Sequence, residues 1–326
     1  MTVMVTGGAG YIGAHVVAAL AATGRSVVVV DDLSSGRRDA VPEVPLVRLD
    51  LADPGCVPAL VTAAQEHGVT AVVHLAAKKR VDESVARPLW YAEQNVGGLV
   101  HLLHALVQAQ VQRVVFSSSA AVYGSTGPDP VDERHPTDPV NPYGRTKLVG
   151  EWLLQDAAQA HGVRAVALRY FNVAGALRPQ LADHGTGNLV TATIAALRRG
   201  DAPVIYGTDY DTSDGTCVRD FVHVQDVAEA HLAALDGLEA GTAPDVLNVG
   251  TGHGTSVSQV VERLTALAGR PGSARALGRR AGDPPSVVAD VDAIATRLGW
   301  RARYDVDDML TSAWAATAPQ VGARTS

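Results

Sequence analysis

Short Val-rich runs alternate with longer helix-patterned stretches through the first half of the chain. Val3 to Thr6, Val27 to Val30, Val47 to Asp50, Ala71 to Leu75, Arg113 to Ser117 and Ala165 to Arg169 read as strands. Between them the spacing predicts helices over Tyr11 to Ala22, Val57 to His67, Pro88 to Ala109 and Tyr143 to His161. Continuous apolar strands separated by helices predict a parallel sheet covered on both faces, an α/β doubly wound Rossmann fold.

From about Gly175 the pattern loosens. Pro179, the stretch from Asp183 to Gly187 and the segment from Tyr206 to Thr216 are polar and turn-rich, with helices expected over Leu189 to Arg199 and Val257 to Ala268. The expected division is a Rossmann domain over residues 1–175 and a smaller mixed α/β substrate-binding domain over residues 176–326. Some segments between residues 205 and 250 are expected to return to the first domain.

Composition narrows the classes of function. With 326 residues, 47% hydrophobic and 19% charged, the chain has enough apolar material for a real core. A net charge of -7 argues against a general nucleic-acid surface, so an anionic ligand must be met by local groups. Cys56 and Cys217 stand far apart in no metal-binding pattern, and His101 and His104 have no evident third ligand, so no metal is expected. No apolar run approaches the roughly 20 residues of a membrane helix. After Met1-Thr2 the chain enters a strand at once, so no signal peptide is expected and a reducing cytoplasm fits.

Two groups of residues carry chemistry. Gly7, Gly10 and Gly13 stand between the first strand and first helix, where glycines allow a tight turn and let the amides of Tyr11 and Ile12 approach a pyrophosphate. The next strand ends at Asp31, placed to accept hydrogen bonds from ribose hydroxyls, and Asp32 repels a 2′-phosphate, so NAD is expected over NADP. Asp50, beside Leu51, lines the adenine pocket or caps the helix signalled by Asp53 and Pro54. The second group is Tyr143 and Lys147, one helical turn apart, downstream of the strand that runs into Ser117, Ser118 and Ser119. An ammonium beside the phenol is expected to favour its ionised form and make a base, with Ser119 bonding the same substrate hydroxyl.

In order along the chain, Thr6 to Gly13, Ser117 to Gly124, Asn141 to Lys147, Arg169 to Asn172 and Arg219 to His223 resemble the signatures of UDP-glucose (UDP-galactose) 4-epimerases, extended short-chain dehydrogenase/reductases. The resemblance spans about Val3 to Trp300. It implies that Tyr143 takes a proton from the hydroxyl at sugar carbon 4 while NAD takes the hydride, and that the keto sugar turns before the hydride returns. It further implies that Leu75, Ala76, Ala77, Lys79, Asn95 and Ser117 contact the cofactor, with Tyr170 and Phe171 beside the nicotinamide. Asn172, Asn188, Leu189, Arg219, Arg280 and Asp283 are implied as ligands of the UDP-sugar, and the arginines suit a diphosphate as bidentate donors.

Several positions depart from the family pattern. Lys78, Arg80 and Asp82 replace mostly small or apolar residues, and Ala121 stands where many members carry Thr. Val287 stands where some members carry a bulky Tyr, which leaves room for N-acetylhexosamines. Ala120 and Ala121 also occupy the positions of the Asp-Glu pair of related 4,6-dehydratases, so the carboxylates needed to remove water are missing. A pentose or uronate epimerase is a second alternative, and a non-catalytic NAD-binding sensor a third, although a sensor would be expected to lack Tyr143 or Lys147. The helices over Pro88 to Ala109 and Tyr143 to His161 carry apolar faces beyond what one sheet face needs, and the resemblance implies that they pair across a homodimer.

Overall fold

Six strands, β1 (Thr2–Thr6), β2 (Ser26–Asp31), β3 (Leu46–Arg48), β4 (Val69–His74), β5 (Arg113–Ser119) and β6 (Arg164–Tyr170), join a later strand, Val246–Val249, in one sheet. All seven are parallel, in the order Val246–Val249, β6, β5, β4, β1, β2, β3. This computed structural model describes residues 1–318 apart from Thr186, Pro271, Ser273 and Ala281, so Thr186 of the polar stretch lies outside the described residues.

Alternation along the strands builds two cores. Val3, Val5, Val29, Val73 and Val115 face one side, with Val16 and Leu20 of the helix Tyr11–Ala22 and Val227 and Leu235 of the helix Val224–Ala240. Met4, Val28, Val72 and Val114 face the other, with Leu60 of Cys56–Glu66 and Leu102 and Leu106 of Gly98–Gln108. Both faces are covered, which is why these strands are apolar at every position rather than at every second one. Strand order reverses between β1 and β4, and in open α/β sheets ligands bind beyond the carboxyl ends of the strands at such a point.

The structure differs from the sequence reading in several places, of which three bear on the site. The expected helix from Pro88 to Ala109 divides into Pro88–Ala92, a wider π-type turn over Glu93–Gly97, and Gly98–Gln108, preceded by a separate short helix, Val81–Ala86. The ring of Pro88 keeps Arg87 out of the helical conformation, at φ -135° and ψ 54°, and the chain breaks there. β5 continues through Ser119, which puts all three serines on the sheet edge. The helix Val224–Ala240 and the strand Val246–Val249, within the segments expected to return to the first domain, were not read as elements, and they complete the main sheet and one of its faces.

From the carboxyl end of β6 the chain enters a smaller sheet made of Asn172–Ala174, Val218–His223, Gly254–Ser256 and Ser286–Val287. Its own apolar cluster holds Ile194, Leu197, Phe221, Leu264, Met309 and Leu310. The Tyr11 hydroxyl donates to the Gly175 carbonyl at 2.6 Å, which ties the first helix of the large sheet to the start of this second region.

Candidate active site

The glycine turn leaves β1 with no room for side chains. Gly7 has φ +70°, and a Cβ there would lie 2.6 Å from the Ala76 amide nitrogen. At Gly13 it would lie 2.1 Å from the Gly7 carbonyl, and at Gly10 3.3 Å from the same oxygen. Gly10 precedes the helix Tyr11–Ala22 with no side-chain cap, so the amides of Tyr11, Ile12 and Gly13 stay free for an anion at the positive end of the helix. A bare backbone surface with free amides, opposite Leu75 and Ala76, fits the pyrophosphate of a dinucleotide.

Asp31 is buried and serves the loop itself. Its carboxylate accepts from the Ala9 amide at 2.9 Å and the Leu33 amide at 2.8 Å, and burial pushes its pKa up despite them. Leu33 is held at φ +60°, a conformation that costs energy in a branched side chain. Asp32 bonds the Ser34 amide and receives the Lys78 ammonium at 3.3 Å. Burial works against its ionisation, but the Ser34 bonds and Lys78 outweigh burial and hold the carboxyl below the usual range. Asp50 is exposed and closes a turn onto the Ala52 amide at 2.9 Å, while Gly55 precedes the following helix, so Asp50 does not cap it. Leu51 is buried beside that helix, against Gly98.

Asn95 stands apart from the other expected cofactor contacts. Its amide oxygen accepts from the Lys78 amide at 2.8 Å, and its nitrogen donates to the Lys78 carbonyl at 3.0 Å and to Thr146 at 3.0 Å. Its polar atoms are committed to holding the loop after β4 against the helix Pro142–His161. Lys79, next on that loop, is exposed with its ammonium 5.8 Å from the centre of the Tyr11 ring.

At the edge of β5 the second group assembles. Asn141 caps the helix Pro142–His161 by accepting from the Gly144 amide at 2.8 Å, and Gly144 is itself required, because a Cβ would meet the Ala121 carbonyl at 2.5 Å. Tyr143 thereby sits on the first turn, in hydrogen-bonding reach of Ser119. Lys147 is 3% exposed and gives its ammonium to the Ser117 carbonyl at 2.7 Å, 5.9 Å from the Tyr143 ring centre. Burial pulls Lys147 down to about 7, with Glu151 acting the other way.

Within the chain itself, burial works against the expected acidic phenol. Burial pushes Tyr143 upward, and the Ser119 bond recovers only part of that shift.

Behind this pair lies a buried network that the sequence reading missed. Glu151, one turn beyond Lys147, accepts from Ser118 at 2.5 Å and pairs with both arms of the Arg169 guanidinium, at 2.9 and 2.6 Å. Arg169 in turn lies 4.8 Å from the centre of the Tyr123 ring. The signal in the sequence was the i, i+4, i+8 series Tyr143, Lys147, Glu151, which runs down one helix face. Tyr170, in register with Ser119, gives its hydroxyl to His231, and Phe171 is buried against Val122 and Leu148.

The residues expected at the sugar nucleotide surround the second region. Asn172 opens its strand exposed, and Asn188 caps the helix Leu189–Arg199 by accepting from Thr191 while donating to Asp183 at 2.8 Å. Leu189 is half-buried on that first turn. Arg219, with its side chain 13% exposed, reaches Asp283 at 3.7 Å and pairs in register with Val287. Arg280 is exposed and stacks at 4.0 Å over the Tyr206 ring, and its carbonyl accepts from the Asp283 amide at 3.3 Å. Among the described residues no cluster of three metal-ligating side chains occurs.

The model of the NAD dependent epimerase/dehydratase family matches residues 3–250. A UDP-glucose 4-epimerase of Azospirillum brasilense is 46% identical over 317 residues, covering 95% of this chain and 90% of that one. The crystal structure of UDP-glucose 4-epimerase from Brucella ovis in complex with NAD superimposes with a TM-score of 0.89 at 41% identity, over 96% and 97% of the two chains. That of the Stenotrophomonas maltophila enzyme, with bound NAD and formylated UDP-arabinopyranose, gives 0.91 at 40% identity, over 97% of each.

Proposed function

This chain belongs to the NAD dependent epimerase/dehydratase family, and on that premise we propose that it is a UDP-hexose 4-epimerase interconverting UDP-glucose and UDP-galactose. The observation that carries the reading is the meeting of Ser119, Tyr143 and Lys147 at the carboxyl end of β5, on the sheet edge where the glycine turn leaves β1. Bound NAD supplies a hydride acceptor that also returns the hydride, so the reaction is redox-neutral overall. Gly7, Gly10, Tyr11, Ile12 and Gly13 would hold its pyrophosphate by backbone amides, with Asp31, Asp32, Leu75, Ala76, Ala77 and Lys79 around its adenosine and ribose groups.

Tyr143 takes the proton from the hydroxyl at sugar carbon 4 and later returns one to the keto oxygen. Ser119 orients that oxygen, and the Lys147 charge stabilises the phenolate while it lasts. Asn172, Asn188, Leu189, Arg219 and Asp283 line the UDP-sugar site, with Arg280 reaching it from the rim. Ala120 and Ala121 follow Ser119 and offer no carboxylate, which disfavours dehydration. Val287 lies beside Arg219 and against the cluster around Phe171, where a small side chain leaves space for an N-acetylhexosamine.

The dinucleotide belongs to residues 1–175 and the sugar nucleotide to residues 176–326, with Val224–Ala240 and Val246–Val249 returning to the first unit. Val85 and Leu89 are 63% and 79% exposed and Trp152, on the helix that carries Tyr143, is 53% exposed, which supports a homodimer through these helices. A cytoplasmic location agrees with two free cysteines, and no described helix is long and apolar enough to cross a membrane.

Purified protein given UDP-galactose without added NAD tests the assignment. UDP-glucose is the expected product. A 4-keto-6-deoxy sugar would reveal a dehydratase, and no product a sensor.

A further inference from the structure

In the large sheet β1 lies between β2 and β4. A link from the loop after β2 to the loop after β4 therefore passes over the Gly7–Gly10 turn that leaves β1. Two strand spacings are roughly 10 Å, which a long side chain spans when its target leans toward it. Lys78, just after β4, makes such a link: its ammonium lies 3.3 Å from the Asp32 carboxylate and 2.8 Å from the Ser34 hydroxyl, both just after β2.

Both ends of the link are fixed. Residue 78 is gripped through its amide and its carbonyl by buried Asn95, which is tied through Thr146 to the helix of Tyr143 and Lys147. The far loop is pinned by Asp31, which holds Leu33 in its left-handed conformation. The Trp90 ring centre lies 5.8 Å from the ammonium and shields one side of it. Only the lysine side chain is left to move.

We propose that Lys78 is a retaining strap for the dinucleotide, reaching from an anchored loop across the mouth of the cleft to Asp32 and Ser34, so that the cofactor leaves only when this link opens. The inference rests on the NAD-binding reading above and adds to it a residue that sets the cofactor's residence time. A redox-neutral reaction on one sugar carbon needs its dinucleotide to stay through each turnover, which gives the link its purpose.

The test is the release rate of NAD from loaded protein, followed after desalting by an NAD-consuming dehydrogenase in solution. Lys78→Met is expected to release NAD about fivefold faster, the size of effect that one partly buried ion pair supports. Lys78→Arg, which keeps the charge, should recover at least half of the slowing. Ser34→Ala, which removes the other partner of the ammonium at a residue outside the cofactor contacts, should also release NAD faster than wild type, with the double variant no faster than Lys78→Met, because both act on the same link. Equal or slower release from Lys78→Met, or additive effects in the double variant, overturns the strap alone. Wild-type protein that takes up no NAD overturns the NAD reading and the strap with it.

Discussion

Lys147 gives its ammonium to the Ser117 carbonyl at 2.7 Å, one helical turn from Tyr143. The bond fixes the cation beside the phenol and away from water. Burial alone moves the two groups in opposite directions, Tyr143 up and Lys147 down to about 7. Each therefore depends on its surroundings to reach the charged form at neutral pH.

The first prediction follows from that dependence. Tyr143→Phe removes the hydroxyl proposed to take the substrate proton, and turnover is expected to fall by about 10²–10⁴ while NAD uptake persists. Lys147→Met should lower turnover as well and move the acid limb of kcat/KM to higher pH, because the phenol loses its cationic neighbour. An unmoved limb in a pH profile of Lys147→Met would remove Lys147 from this role.

The second concerns Glu151 and Arg169, whose side chains are 4% and 6% exposed. Removing one partner of a buried ion pair strands the other. Arg169→Met is expected to cost about 3–5 kcal/mol in urea unfolding. Replacing both, in Glu151→Leu with Arg169→Met, should restore much of that loss. If the double variant is no more stable than the single, the stranded-charge account is wrong.

What could be read from the sequence divides along the same line. The glycine turn and the Tyr143–Lys147 pair depend on local backbone geometry, on turns and on i, i+4 spacing, and residue order alone reveals them. Arg169 reaches Glu151 only because the helix Pro142–His161 packs on β6, and Lys78 reaches Asp32 only because a single strand, β1, separates theirs. Those are facts of packing, which a single sequence does not display. The burial of the phenol is hidden for a related reason: spacing shows a nearby charge, whereas burial is a property of the whole fold. The helix Val224–Ala240 was legible in principle, since Val227, Leu235 and Leu238 keep helical spacing, but the turn-rich residues before it masked the change of pattern.

A third prediction uses His231. Its Nδ1 bonds the Val227 carbonyl at 2.8 Å, so Nε2 is the acceptor for the Tyr170 hydroxyl and the ring is neutral. Burial pulls its pKa down to about 4, against 6.5 for a free histidine. Between pH 6.5 and 4 the unfolded chain therefore binds a proton that the folded one refuses, and stability falls as the pH falls through that window. His231→Gln should be less stable than wild type at pH 7.5, with the gap narrowing by about 2 kcal/mol by pH 5. Urea unfolding at a series of pH values measures this, and a constant gap would show that the ring is not held neutral.

The last prediction concerns the sugar pocket. Val287 pairs in register with Arg219 and packs at the edge of the cluster containing Phe171 and Val122. Its strand is held from outside by Thr126, which donates to the Ser286 carbonyl at 2.9 Å, so the backbone there has little freedom to retreat. A larger side chain at this position must therefore take its volume from the pocket. An N-acetyl group needs that volume and a hydroxyl does not, so Val287→Tyr should act on the two sugars unequally. The ratio of kcat/KM for UDP-N-acetylglucosamine over UDP-glucose is expected to fall at least tenfold, within the roughly 10–200-fold that a steric change in a pocket delivers. Steady-state kinetics on both substrates decides the point. If wild type does not turn over the N-acetylated sugar, or if the ratio is unmoved in the variant, Val287 does not set the width of the pocket.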